Sequence, residues 1–173
     1  MPGIAELQAP PSWRTVDFIS DLHLQASDVA TFAAWQHYME STPADAVFIL
    51  GDLFEVWVGD DAVGTDLPAA ADSSFENRCA RVLGQTAGRL TLHFMHGNRD
   101  FLVGQRLMEL CNTTLLADPT VLDFNGQALG VLMAELDWGW VQAQLRSLHH
   151  DGQAQQTLAL DSDGSVVLAW PQE

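Results

Sequence analysis

Lysine is absent from this sequence. The basic complement is seven arginines against 23 acidic residues, a formal net charge of −16 over 173 residues. That imbalance excludes nucleic acid as a partner, because backbone binding needs a basic stripe to neutralise phosphates. It also leaves a phosphorylated substrate without a cationic cradle, so phosphate chemistry here requires metal ions that reverse the local sign. Cysteine is scarce as well. Cys79 and Cys111 are too few and too loosely spaced for a disulfide framework or a cysteine zinc site, and read as small buried side chains in a reducing compartment. No window approaches the roughly 18–20 apolar residues of a membrane span, and the start of the chain, with Pro10 and Pro11, lacks an apolar stretch of signal-peptide length. The expected location is cytoplasmic, with contact to a membrane face left open. What the chain does have is core material: 47% hydrophobic residues and six tryptophans, enough for one domain or slightly more.

Residues 1–13 read as a flexible extension. Residues 15–19 (TVDFI), Ala46–Leu50 (AVFIL) and residues 90–95 (LTLHFM) are short apolar runs of strand length, the second continuous enough for a strand buried on both faces. Between the first two, Val29, Phe32, Trp35 and Met39 recur at near-helical spacing behind Ser27 or Asp28 as a cap. Residues 59–72 form a Gly/Pro/Asp-rich loop. Ser73-Ser74-Phe75-Glu76 then has the capping-box pattern and opens a helix with Phe75, Cys79, Val82 and Leu83 on one face. A short helix through Leu110 and a strand near residues 114–116 follow. Asn125-Gly126 between residues 121–124 and 127–133 predicts a hairpin. Residues 136–148 read as helix, and 156–160 with 166–170 as a closing hairpin. The alternation of strand and helix predicts an α/β fold.

Three polar clusters each follow a predicted strand, where open α/β sheets place their ligands: Asp21-Leu22-His23, Gly51-Asp52, and Gly97-Asn98-Arg99-Asp100. On an extended segment, an Asp-x-His pair points both side chains to one face and can chelate one ion. The two oxygens of Asp52 can bridge two cations, and Asn98 can offer a neutral carbonyl oxygen. Carboxylate, imidazole and amide donors suit Mn²⁺, Zn²⁺ or Fe²⁺. Two ions held this way clamp a phosphate and convert a bridging water to hydroxide near neutral pH. Arg99 is placed to fork onto a phosphate.

Residues 21–24 (DLHL), 51–61 (GDLFEVWVGDD) and 96–105 (HGNRDFLVGQ) resemble the calcineurin-like metallophosphoesterases. Arg99, where that superfamily more usually has His, and the extended run Phe54-Glu55-x-Trp57-x-Gly59-Asp60-Asp61 resemble one branch, the UDP-2,3-diacylglucosamine diphosphatase family of lipid A biosynthesis. The resemblance covers about residues 16–133. It implies a metallophosphoesterase-like α/β sandwich, incomplete here, with a core over residues 14–133 and a divergent tail over 134–173. It implies that Asp21 and His23 ligate a first Mn²⁺, that Asp52 bridges, and that Asn98 ligates a second Mn²⁺. Asn98 and Arg99 would contact the substrate phosphate. No side chain would be the nucleophile; that part falls to metal-bound hydroxide. The implied partner is a lipid-linked nucleotide sugar, split to 2,3-diacylglucosamine 1-phosphate (lipid X) and UMP on the cytoplasmic face of the inner membrane. No protein partner is implied.

The family pattern continues with a His-Gly-Asp block and a later Gly-His-x-His, both absent from this sequence, which has Ala134-Glu135-Leu136-Asp137 at the first position. His37 reads as a surface residue, His93 as a satisfied structural group within a strand, and His96 as part of the motif without being a ligand. His149-His150 reads as a solvated pair, since neighbours on a helix or turn point apart. The tail is either the family's terminal strands joined after an internal deletion or unrelated sequence. A deletion predicts apolar surface laid open around Phe54, Val56 and Trp57. Three functions compete: a pyrophosphatase that works with this ligand set, a non-catalytic remnant that binds one metal weakly or serves as an interaction module, and a phosphoesterase with another substrate, completed by dimerisation.

Overall fold

The computed structural model describes residues 4–64, 74–124 and 126–132, together with the backbone of two later strands. The chain divides into two compact units, Met1–Glu135 and Leu136–Glu173.

The first unit is a mixed α/β structure. Strands β2 (Val16–Ile19), β3 (Ala46–Leu50), β4 (Thr91–Met95) and β5 (Thr114–Leu115) form a wholly parallel four-stranded sheet in that order. Helices α1 (Val29–Ser41), α2 (Phe75–Ala87) and α3 (Gln105–Leu110) make the connections. A second sheet contains β1 (Ala5–Gln8), β6 (Thr120–Phe124) and β7 (Gln127–Leu132), with β6 central, parallel to β1 and antiparallel to β7. Ala5–Gln8 thus lie in a paired strand within the segment read as an extension, and Trp13 just beyond them is buried.

The continuous apolar run of β3 has a direct cause. Val47 and Ile49 face the helices, in one core with Trp35, Met39, Leu83, Leu92 and Phe94. Ala46 and Phe48 face the other way, into a second core with Trp13, Met95, Leu122 and Leu132 from the second sheet. Alternate residues of one strand therefore serve two apolar layers.

Capping follows the sequence with one shift. Asp28 caps α1, accepting from Thr31 N at 3.0 Å. At α2 the cap is Ser74 rather than Ser73: Ser74 Oγ accepts from Asn77 N, and Asn77 Oδ1 accepts from Gly64 N at 3.0 Å, tying the helix start to the preceding loop. Val29, expected on the apolar face of α1, is exposed as the first helical residue, while Trp35 and Met39 are buried. Cys79 and Cys111 are free and buried, and burial pushes both thiols up.

His93 departs from expectation. It is buried in the second core, stacked on Phe48 with ring centroids 4.7 Å apart, and neither ring nitrogen has a hydrogen-bond partner. Burial holds its pKa down at about 4. His37 is exposed, as expected.

In the second unit, β8 (Thr157–Leu160) and β9 (Val166–Trp170) pair antiparallel, the predicted closing hairpin. The helix expected over residues 136–148 and the pair His149-His150 lie outside the described residues.

Candidate metal centre

Strands β2, β3 and β4 are adjacent and parallel, so the loops leaving their C-terminal ends are neighbours. Backbone bonds continue past the strands: Asp21 N donates to Gly51 O at 3.2 Å, His23 N to Asp52 O at 3.0 Å, and Leu24 N to Leu53 O at 2.8 Å. The Asp-x-His segment is not extended, as the sequence suggested. Asp21, His23 and Asp52 all have positive φ, at 55°, 49° and 52°. Such left-handed conformations cost about 1–3 kcal/mol each for residues other than glycine and concentrate at functional sites. Here they accompany a convergence of three side chains: one ligand atom from each of Asp21, which is exposed, His23 and Asp52 lies within 4.8 Å of the others. Among the described residues this is the one group of three or more Asp, Glu, His or Cys so arranged. Two carboxylates and an imidazole are a donor set suited to a divalent cation.

The third loop is bolted to the second through Asp100. Its carboxylate is fully buried and accepts from Gly97 N at 2.8 Å, Leu53 N at 2.8 Å, Asp52 N at 3.3 Å and Phe54 N at 3.5 Å. Burial raises its pKa, and the amide bonds oppose that rise. The loops then touch without room for side chains. A Cβ on Gly97 would lie 2.2 Å from Asp52 Oδ1, and one on Gly51, at φ 83°, would lie 2.8 Å from Gly97 Cα. Arg99 N donates to Asp52 Oδ1 at 2.9 Å. Asn98, between Gly97 and Arg99, is buried at the same junction.

Glu55 completes the arrangement. Its Oε2 lies 3.1 Å from His23 Nδ1, close but short of an aligned hydrogen bond, and its Oε1 accepts from the Arg99 guanidinium. Sequence reasoning gave Glu55 no part; its place in the Phe54-Glu55-x-Trp57 run was the available signal. Asp60, from the same run, does not join the three-donor group. Asp60 instead accepts from Trp57 Nε1, Gly104 N and Leu107 N, fastening the start of α3. His96 meets Val103 O at 2.6 Å and stands apart from the three-donor group.

The opening expected around Phe54, Val56 and Trp57 is only partly present. Phe54 and Trp57 are buried against each other with ring centroids 4.5 Å apart. Val56 is 62% exposed.

No protein-family model matches the chain. Individual proteins do. A UDP-2,3-diacylglucosamine hydrolase of Shewanella sp. (strain ANA-3) is 40% identical over 111 residues, 63% of this chain and 43% of that protein. Its namesake in Pseudomonas paraeruginosa (strain PA7) is 40% identical over 116 residues, 65% of this chain and 45% of that one. The UDP-2,3-diacylglucosamine hydrolase of Aeromonas salmonicida (strain A449) is 39% identical over 129 residues, 71% and 48% of the two chains. The match spans less than half the length of these relatives. Over roughly two thirds of its own length, the chain is similar to the UDP-2,3-diacylglucosamine hydrolases.

Proposed function

We propose that this chain carries the first-metal half of a hydrolase site for the pyrophosphate of UDP-2,3-diacylglucosamine. The convergence of Asp21, His23 and Asp52 carries the reading. The relatives' names supply the substrate; in the reaction water adds at the α-phosphorus as its bond to the bridging oxygen breaks, forming UMP and releasing 2,3-diacylglucosamine 1-phosphate. The fold in this reading is a metallophosphoesterase-like sandwich, and the preferred cation is Mn²⁺. Bound divalent ions supply Lewis acidity and lower the pKa of coordinated water. Asp21 and His23 would hold the first ion, Asp52 would be shared between the two, and Asn98 would give the second its amide oxygen. Arg99 orients a phosphate oxygen. No helix among the described residues is long and apolar enough to cross a membrane. In this reading the protein works in the cytoplasm and meets its lipid substrate as a peripheral protein on the cytoplasmic face of the inner membrane.

The second ion has no imidazole in this ligand set, since the sequence lacks both the His-Gly-Asp and the Gly-His-x-His block. A site short of donors holds its ion weakly and clamps the leaving group poorly. This favours a second reading, a metal-binding remnant of the same fold, for the chain acting alone. Titration with Mn²⁺ and assay of UMP release, with Asp52→Ala as blank, test both. The expected result is one firmly bound ion per chain and turnover well below the order of 1 s⁻¹ usual for enzymes. Two firm ions with turnover of that order, abolished by Asp52→Ala, would establish a complete enzyme. Failure to bind Mn²⁺ would remove the metal centre.

A further inference from the structure

Glu55 touches both sides of the site, with one oxygen beside His23 Nδ1 and the other on Arg99. Its backbone is fixed from two directions. Glu55 N donates to Leu24 O at 3.0 Å, and two residues on, Trp57 N donates to Arg99 O at 3.1 Å. The carboxylate is therefore presented to His23 by the loop after β2 and to Arg99 by the loop after β4.

We propose that Glu55 is a positioning residue that sets the His23 tautomer, and through it the cation affinity of the site, while Arg99 holds Glu55 in place. A neutral imidazole binds a metal through the nitrogen that lacks a proton, and a carboxylate beside the other nitrogen selects that tautomer and makes the ligand more basic. Glu55 stands beside Nδ1, so it keeps the proton there and leaves the Nε2 lone pair to a cation. One carboxylate oxygen alone would swing freely on its side chain. The planar Arg99 fork pins the second oxygen. The part of this inference that concerns cations rests on the proposed function; the tautomer does not.

Nitrogen-15 NMR of the intact, metal-free chain at pH 8 reads the tautomer directly. The wild type is expected to show His23 protonated mainly at Nδ1. Glu55→Ala should move most of the population to Nε2–H, and Glu55→Gln, which keeps an acceptor oxygen, should restore part of it. Arg99→Gln should move it in the same direction as Glu55→Ala but less far. In Mn²⁺ calorimetry, Glu55→Ala should bind roughly 10–100-fold more weakly than wild type, the usual effect of removing a carboxylate behind a metal-bound histidine. Circular dichroism of each variant checks that the fold survives, as expected for a side chain 37% exposed. A His23 tautomer indifferent to Glu55→Ala, or unchanged Mn²⁺ affinity in that variant, overturns the inference. A wild type that shows Nδ1–H yet binds no Mn²⁺ overturns the proposed function instead.

Discussion

His93 carries two ring nitrogens into an apolar core that satisfies neither, held between Phe48 and Trp13 by ring packing alone. Its pKa, about 4 in the folded chain, lies below the ordinary histidine value because burial penalises the charged ring. The unfolded chain therefore binds the proton more readily. The stability tied to a neutral His93 is complete above about pH 6.5 and is lost as the pH falls towards 4, by roughly 3 kcal/mol in all. Urea denaturation between pH 7 and 4 should show this loss, and His93→Phe should flatten it without weakening the protein at pH 7. An acid dependence identical in the variant would assign the effect to other groups. The sequence placed His93 within a strand correctly. It could not say that the surrounding residues, drawn from the second sheet and from Trp13, bring no polar atom to the ring. Asp60 and Asp100 show the reverse: an Asp in a sequence looks like free charge, and only the fold reveals which backbone amides consume it.

At the scale of elements, strands were legible where burial is two-sided, as in Ala46–Leu50, and helices where a cap precedes an apolar stripe, as at Asp28 and, one residue beyond the expected cap, at Ser74. The loops were harder to read. Their sequence marks them as polar and glycine-rich but does not encode how closely they approach one another. Gly97 shows the closest approach, with the space for its Cβ already occupied by Asp52. Gly97→Ala must push the Gly51–Asp52 loop away and release Arg99 N from Asp52. A loss of roughly 1–3 kcal/mol is expected for the overpacking, and Mn²⁺ affinity should fall by about tenfold or more as the ligand geometry opens. Thermal denaturation and calorimetry measure the two effects. A variant with wild-type Mn²⁺ affinity would mean that the two loops can separate without moving the ligands.

Over the whole molecule, the net charge of −16 works against compaction, because like charges repel more strongly in the folded state than in an expanded chain. Salt screens that repulsion, with a Debye length of about 10 Å at 0.1 M. Raising NaCl from low to moderate concentration should therefore raise the melting temperature, by about 2–4 °C for each kcal/mol relieved. A melting temperature that falls with salt would show that attractive ion pairs, such as Glu55 with Arg99, outweigh the net repulsion. The same excess of acid explains why the candidate site is a cation site before it is an anion site.

The sequence by itself determined the α/β alternation, the three polar clusters at strand ends, and the residues that meet there, because burial pattern, capping and donor chemistry are local properties of the chain. Only the tertiary structure decided the rest. The left-handed turns of Asp21, His23 and Asp52, the burial of Asp100 under four backbone amides, and the span of Glu55 from His23 to Arg99 all depend on distances across three loops. Those distances are set by the side-by-side pairing of β2, β3 and β4, which brings together residues some thirty to eighty positions apart and which no local pattern encodes.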